Sequence, residues 1–124
     1  MIKIILLVLL AEALTVVGQI LMKKSANNLS VYDLSKVNAH MRFLREVLAK
    51  PSLWAGFFMM ALGLLVWLFA LAQGDLSLVF SLGSVQYILI LILAHYMLGE
   101  KIDRMKVIGT LFVMAGIVLI VMSK

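Results

Sequence analysis

Long apolar stretches, separated by short charged ones, dominate the pattern of this chain. A bilayer core of about 30 Å needs roughly 20 helical residues to cross. Lipid-exposed strands would leave backbone groups unpaired, and a chain this short cannot close a barrel from runs of this length. The pattern therefore predicts an all-α integral membrane protein, a single domain over 1–124, with four transmembrane helices at about 4–22, 53–73, 76–99 and 107–123.

The connections between these spans differ greatly in length. Only Gly74 and Asp75 join the second and third spans, which predicts a tight antiparallel hairpin. The first span is interpreted as a permanent helix and not as a signal peptide, because its apolar stretch is too long and no small-x-small cleavage site follows.

Composition excludes the other broad classes of protein. The chain is 65% hydrophobic and 14% charged, with a mean hydropathy of +1.14 and no cysteine. A soluble domain of this length could not bury so much apolar surface, because small domains leave much of their surface in water. Disorder requires polarity, and a disulfide scaffold requires cysteines.

Lysine and arginine positions predict the orientation. Nine of them lie in the connections after the first and third spans, and two lie on the opposite side. The positive-inside rule then predicts cytoplasmic basic loops and both termini outside the cytoplasm. The nine are Lys23, Lys24, Lys36, Arg42, Arg45, Lys50, Lys101, Arg104 and Lys106; the two are Lys3 and Lys124.

The long first connection predicts an amphipathic interfacial helix at about 33–49. Asp33 is placed to cap its start and Pro51 to end it. Two interpretations stay open: the helix lies on the cytoplasmic leaflet, or it packs on a partner subunit. The apolar stripe consists of Leu34, Val37, Met41, Leu44 and Leu48, with Lys36, Arg42, Arg45 and Glu46 away from it.

Glu12 is the candidate functional residue of the first span. An ionisable group near the middle of a membrane helix is costly, which makes it a functional hypothesis by default. Thr15 and Gln19 fall on the same helix face and are expected to point inward with it. A substrate-binding or proton-exchanging role is one interpretation; a protonated side chain bonding a neighbouring helix is the other.

The third span carries a second polar arc of Ser84, Tyr87 and His95, with Gln86 expected to point away from it. His95 lies near the membrane interface, where such residues are ordinary. In the second span, Trp67 is deep enough to line either a pocket or a helix contact.

Gly109 and Gly116 predict an oligomerisation seam on the fourth span, because small residues allow close helix approach. Four short helices also form too thin a bundle to enclose a solute pathway alone. If the protein transports a solute, an oligomer is therefore implied.

Motifs for enzymatic chemistry do not occur in the sequence. We find no metal-ligand spacing, nucleophile elbow, glycine-rich phosphate loop or nucleic-acid signature, and predict no enzyme, metal, cofactor or nucleic-acid partner.

Several short motifs resemble the drug/metabolite transporter superfamily. They are Gly18-Gln19-Ile20-Leu21-Met22-Lys23-Lys24, Leu98-Gly99-Glu100-Lys101, Ile108-Gly109 and Ala115-Gly116-Ile117-Val118. The second span, with Leu53-Trp54-Ala55-Gly56, Leu62-Gly63-Leu64 and Trp67-Leu68, resembles the small subunits that flip aminoarabinose-phosphoundecaprenol. Ala11-Glu12 with Leu21-Met22-Lys23 is similar to the small multidrug resistance branch. That branch has an alanine-tyrosine-alanine-x-tryptophan pattern where this chain has Val79-Phe80-Ser81-Leu82-Gly83, without the tyrosine and the tryptophan.

The resemblance implies a bacterial inner-membrane subunit that works as a homodimer or with a similar subunit. Its implied cargo is an undecaprenyl-phosphate-linked sugar. Glu12, Thr15, Gln19, Ser84 and Tyr87 would then bind the polar head; Lys23, Lys24, Arg104 and Lys106 would attract the phosphate or simply mark topology. The alternatives are a proton-coupled exporter of small cations and a non-transporting subunit that docks a glycosyltransferase.

Overall fold

A computed structural model describes residues 1–29 and 35–123. These residues form six helices and no strand. Four segments are long and apolar enough to cross a membrane, and the third of them, Leu76–Leu98, consists of two successive helices. The prediction of an all-α protein with four membrane spans is therefore confirmed. The helices are α1 (Ile2–Asn27), α2 (Val37–Ala49), α3 (Pro51–Gln73), α4 (Leu76–Gly83), α5 (Val85–Leu98) and α6 (Arg104–Met122).

Helix ends follow local chemistry and lie a few residues from the sequence estimates. α1 continues past Met22 to Asn27, beyond the apolar run. Pro51 occupies the first turn of α3, where its missing N–H costs nothing. Asp103 caps α6 by accepting a hydrogen bond from the Arg104 N–H at 2.7 Å. α5 ends at Gly99, whose φ of 67° is the left-handed conformation that glycine adopts readily.

α1 and α3 form the closest helix pair of the bundle. A Cβ on Gly18 would lie 2.6 Å from the Gly56 carbonyl oxygen, and one on Gly56 would lie 2.7 Å from the Gly18 carbonyl oxygen. Farther along the pair, a Cβ on Gly63 would lie 2.9 Å from the Ala11 carbonyl oxygen. Small residues thus bring the two backbones together, as in other membrane helix pairs.

The apolar core lies near the α3–α4 hairpin. It combines Val8 of α1, Ala70 of α3 and three residues of α4, with Trp67 packed against it. The turn between α3 and α4 is short, as predicted: the Gly74 N–H donates to the Ala70 carbonyl at 3.0 Å, and the Leu78 and Val79 N–H groups donate to the Asp75 carbonyl. The two spans themselves pack mainly on α1 and little on each other. α6 contacts α4 and α5 and contains no buried residue.

α2 is a helix over Val37–Ala49 whose apolar stripe faces away from the rest of the chain. Val37 is 81% exposed and Leu48 is 63% exposed. The predicted Asp33 cap and the stripe residue Leu34 lie outside the described residues. Lys50 is extended between α2 and α3, so α2 ends just before Pro51, as expected. What covers the stripe stays a prediction.

Candidate functional site

A cavity of about 700 Å³ opens between α1, α3 and the junction of α4 with α5. Its wall combines an apolar surface with a small polar patch. The polar residues are Glu12, Thr15, Ser84, Gln86 and Tyr87. The cavity thus contains four of the five predicted substrate-binding side chains. A mostly apolar cavity with a few convergent polar groups is typical of small-molecule sites.

Glu12 is the most buried polar residue of this wall, with only 5% of its surface exposed. It lies directly against Gly83: a Cβ on Gly83 would lie 3.2 Å from Glu12 Oε1 and 3.8 Å from Trp67 Nε1. The missing side chain at Gly83 therefore leaves room for the carboxyl group beside the indole N–H. A carboxyl group held at a cavity wall is suited to bind a cation or a hydrogen-bond donor.

Thr15 and Ser84 are partly engaged within their own helices. The Thr15 hydroxyl donates to the Ala11 carbonyl at 2.8 Å, and the Ser84 hydroxyl donates to the Phe80 carbonyl at 3.4 Å. A hydroxyl that donates one hydrogen bond still has lone pairs to accept another. Both residues can therefore accept hydrogen bonds from a ligand in the cavity.

The third membrane span is interrupted at Ser84, in the cavity wall. The Ser84 N–H donates to the Ser81 carbonyl and the Tyr87 N–H donates to the Ser84 carbonyl, both at 3.2 Å. These three-residue spacings are typical of a 3₁₀ turn, which is tighter than an α-helix. The expectation that Gln86 points away from Ser84 and Tyr87 assumed an unbroken helix. It is wrong, because all three residues line the cavity.

Aromatic side chains form much of the remaining wall. Trp67 and Phe80 meet edge to face, with ring centroids 5.1 Å apart and an angle of 86° between the ring planes. This settles the position of Trp67: it lines the cavity while packing against the core cluster. Sequence patterning missed Phe57 and Phe80 as cavity residues, since aromatic residues are ordinary in apolar spans.

Gln19 and His95 lie apart from the cavity wall. Gln19 is half-buried, about 10 Å along α1 from Glu12 at 1.5 Å per residue. His95 lies at the end of α5, where its Nδ1 is 2.8 Å from the Glu100 carbonyl oxygen. The structure thus gives His95 a contact at a helix end and no part in the polar patch.

The basic residues proposed from sequence gather near the ends of α1 and α5. Lys23 forms an ion pair with Glu100. Lys106 reaches the Lys101 carbonyl oxygen at 3.4 Å. Lys24 lies in the last turn of α1 and Arg104 in the first turn of α6. This cluster is separate from the polar patch of the cavity.

Gly109 and Gly116 lie on open surface of the single chain. A Cβ at either position would meet nothing within 4 Å. Gly109 lines a second hollow, of about 420 Å³, between α5 and α6; we call it the α5–α6 groove. Within the chain, close helix approach depends instead on Gly18, Gly56 and Gly63. The oligomerisation role of Gly109 and Gly116 stays a prediction.

The sequence pattern of the EamA-like transporter family matches residues 37–122. Two relatives from Pseudomonas fluorescens are named probable 4-amino-4-deoxy-L-arabinose-phosphoundecaprenol flippase subunit ArnE. The chain is 30% identical to the relative from strain Pf-5, over 94% of this chain and 95% of the relative. It is 32% identical to the relative from strain Pf0-1, over 92% and 93%.

A relative with the same name from Yersinia pestis is 31% identical over 92% of each chain. No solved structure matches the chain. The family match and the relatives agree with the four membrane spans and with the resemblance found in the sequence motifs. The chain is a multi-pass membrane protein that belongs to the EamA-like transporter family.

Proposed function

We propose that this protein is a flippase subunit that moves an undecaprenyl-phosphate-linked amino sugar from the cytoplasmic to the outer leaflet of a bacterial inner membrane. Relatives at about a third identity, over nearly the whole chain, are named as subunits of such a flippase. The polar patch of the cavity would hold the sugar during its passage.

The observation that carries this proposal is the position of Glu12. Its carboxyl group is buried at the cavity wall, where an approaching cation meets little competing water. The amino group of an amino sugar is protonated near neutral pH and would pair with a carboxylate through a charge-assisted hydrogen bond. A neutral sugar would gain much less from Glu12. The site therefore favours an amino sugar over a plain one.

The other residues of the cavity suit the hydroxyl groups and the nonpolar face of a sugar ring. Thr15, Ser84, Gln86 and Tyr87 offer hydrogen-bonding groups for ring hydroxyls. Trp67 and Phe80 offer apolar ring surface on which the nonpolar face of a sugar would rest. Gln19, two turns away along α1, would meet the sugar only before or after it occupies the cavity.

The cationic cluster would gather the phosphate on the cytoplasmic side. Lys23, Lys24, Arg104 and Lys106 belong to the two connections predicted to be cytoplasmic. Each basic residue near an anionic leaflet contributes about 1 kcal/mol of attraction. α2, with its exposed apolar stripe and flanking cations, would lie on the same leaflet.

A partner subunit would complete the transporter. α6 contains no buried residue, and its two glycines lie on open surface. A second copy or a similar subunit would pack there, because small residues permit close helix approach.

The proposal is tested by reconstituting the protein, with any similar subunit encoded beside its gene, into vesicles that contain aminoarabinose-phosphoundecaprenol. A membrane-impermeant amine reagent then reports the arrival of the amino sugar in the accessible leaflet. We expect Glu12→Gln to lower the initial rate about tenfold or more, since a hydrogen bond to a charged group contributes about 1.5–3 kcal/mol.

Glu46→Gln is the matched control, because it makes the same carboxyl-to-amide change in α2, away from the cavity. Its rate should equal that of the unaltered protein. If the unaltered protein moves the lipid no faster than protein-free vesicles, or if Glu12→Gln keeps the full rate, the proposal is wrong.

A second candidate function is the proton-coupled export of small organic cations. It is favoured by the aromatic rings of Trp67, Phe80 and Tyr87 around the Glu12 carboxyl group, since aromatic faces attract cations. We rank it below the flippase because the two curated relatives above share nearly the whole chain length and are named as flippase subunits.

A further inference from the structure

The α5–α6 groove connects two chemically different places in the molecule. At one end it is lined by Tyr87, which also lines the central cavity. At the other end it is lined by Glu100, Lys101 and Lys106 of the α5–α6 connection. The α5 residues that line the groove run from Tyr87 to Ala94, seven positions apart, so the groove extends about 10 Å along α5 at 1.5 Å per residue.

Apolar side chains form the wall between these ends. Ile90 and Leu91 of α5 face Val113 of α6 across the groove. Gly109 leaves its part of the wall without a side chain, and a Cβ there would meet nothing within 4 Å. The groove is therefore open at Gly109, where a larger side chain would fill it.

The mouth of the groove has a net positive charge. Glu100, Lys101 and Lys106 line it, Lys23 reaches it through its ion pair with Glu100, and Asp103 and Arg104 lie between the two lysines in the chain. Both carboxylates have partners: Glu100 accepts a hydrogen bond from Lys23, and Asp103 accepts one from the Arg104 N–H. Lys101 and Lys106 remain at the rim, joined by one hydrogen bond from Lys106 to the Lys101 carbonyl oxygen.

We infer that the α5–α6 groove binds the lipid part of the cargo, a polyisoprenyl monophosphate, before the headgroup enters the cavity. The phosphate pairs with Lys101 and Lys106 at the membrane face, and the first isoprene units lie along Ile90, Leu91 and Val113. This direction matches a lipid in the cytoplasmic leaflet, whose chain extends from the headgroup towards the bilayer centre. The inference rests on the proposed function and identifies the side from which the cargo approaches.

The shared wall at Tyr87 explains how the headgroup would then reach Glu12. Tyr87 lines both the groove and the cavity, so the headgroup would pass this one residue on its way from the basic mouth to the polar patch. The phosphate site at Lys101 and Lys106 lies at one end of the groove, and the amine site at Glu12 lies in the cavity beyond its other end. One sugar phosphate would therefore occupy the two sites in succession and not together.

The test uses the full-length protein in lipid nanodiscs and a photoreactive undecaprenyl phosphate without any sugar. The crosslinked residues are identified by mass spectrometry. We expect labelling in α5 and α6 around Leu91 and Val113, suppressed by excess undecaprenyl phosphate but not by undecaprenol or by phosphatidylglycerol. Removing the charge of Lys101 or Lys106 should each weaken labelling roughly fivefold, since a basic residue near the membrane surface contributes about 1 kcal/mol.

Two groove-filling variants and one matched control complete the design. Gly109→Leu and Val113→Phe should each lower labelling about tenfold by occupying the groove. Val118→Phe makes the same valine-to-phenylalanine change on α6 outside the groove, and should leave labelling unchanged. Labelling that is spread over α3, survives both groove-filling variants or is suppressed equally by phosphatidylglycerol would overturn the inference.

This outcome is separable from that of the proposed function. The crosslinking measures equilibrium binding of a lipid that carries no sugar, whereas the flippase assay measures movement of the amino sugar. If flipping proceeds and the groove is unlabelled, the cargo approaches elsewhere and only the groove is wrong. If the groove is labelled and nothing is flipped, the lipid binds but the flippase function is wrong.

Discussion

Lys23, in the last turns of α1, donates a hydrogen bond to the carboxylate of Glu100, in the connection between α5 and α6. The two residues are 77 positions apart in the chain. Their pairing fastens the end of the first membrane span to the end of the third, on the side that carries most of the basic residues. The pair also places a carboxylate whose charge is balanced by Lys23 at the mouth of the α5–α6 groove.

This pair predicts a pH dependence of stability. The hydrogen bond from Lys23 holds the pKa of Glu100 below its ordinary value. A carboxyl group with a lowered pKa in the folded state stabilises that state above its unfolded-state pKa, and the effect disappears as the pH falls through the lowered value. The Glu100→Gln variant should therefore lose less thermal stability on acidification than the unaltered protein.

The measurement is thermal unfolding of the detergent-solubilised protein between neutral pH and about pH 3, a range that includes the ordinary carboxyl pKa values. Other carboxyl groups titrate in both proteins, so the difference between the two curves isolates Glu100. Because both side chains are exposed, the difference should be small. Superimposable curves would mean that the pair contributes nothing in solution.

The close contact between α1 and α3, which we call the α1–α3 seam, predicts that alanine destabilises the protein at Gly63 but not at Gly116 on α6. In Gly63→Ala the new Cβ would collide with the Thr15 hydroxyl and lie 2.9 Å from the Ala11 carbonyl oxygen. Such overpacking costs about 1–3 kcal/mol. Gly116→Ala adds a methyl group where nothing lies within 4 Å and should leave stability unchanged or slightly higher. Unfolding in a denaturing detergent measures both; equal stabilities would contradict the seam.

Hydrophobic length and charge position predicted the spans of this protein well, because the bilayer imposes a simple length requirement. The glycine contacts were harder to assign. Gly109 and Gly116 have a recognisable spacing, yet the close contact within the chain uses Gly18, Gly56 and Gly63. Spacing within one helix shows which residues share a face, but not which neighbouring helix that face will meet.

The candidate site shows the same division between local and tertiary information. Glu12 and Thr15 were predictable because a polar side chain in a membrane span is costly and conspicuous. Gln86 was expected to point away from Ser84 and Tyr87 because the sequence contains no proline that would predict the 3₁₀ turn at Ser84. Phe80 and Gly83 look like ordinary membrane residues until the fold places both in the cavity wall that contains Glu12.

Gly109 and Gly116, which lie on open surface of the single chain, predict that α6 forms a contact between subunits. If Gly109 and Gly116 form a contact between subunits, leucine at both positions will hold the two helices apart. The double variant should shift the solubilised protein from dimer towards monomer in size-exclusion chromatography with light scattering. Leu111→Ala, on the exposed surface of the same helix, serves as a control that adds no bulk. An unchanged dimer would place the contact elsewhere.

The distribution of basic residues predicts a single orientation in the membrane. The chain has no cysteine, so single cysteines can be introduced without a background signal. Cysteines at positions 2 and 124 should react with an impermeant thiol reagent added to intact cells, and cysteines at positions 40 and 103 should react only after permeabilisation. Partial reaction of all four positions would mean that the chain inserts in both orientations.

The choice between lipid and free cation as cargo rests on what surrounds Glu12. A lipid-linked amino sugar gains binding energy from its phosphate and isoprenoid chain as well as from Glu12, whereas a free cation has Glu12 and the aromatic wall alone. We therefore expect vesicles with the unaltered protein to show no proton-driven uptake of a lipophilic cation above empty vesicles.

Movement of the lipid cargo in the same vesicles should depend on Lys23 and Lys24, which are predicted to be cytoplasmic. Replacing Lys23 and Lys24 by glutamine should slow flipping of the lipid-linked amino sugar roughly fivefold per lysine, since each contributes about 1 kcal/mol of attraction to anionic headgroups. Lys3→Gln, which makes the same change on the opposite side, is the control and should have no effect. Robust cation uptake that Glu12→Gln abolishes would instead identify Glu12 as a shared proton and cation site, because an amide cannot exchange a proton. In that case the exporter replaces the flippase as the function of this cavity.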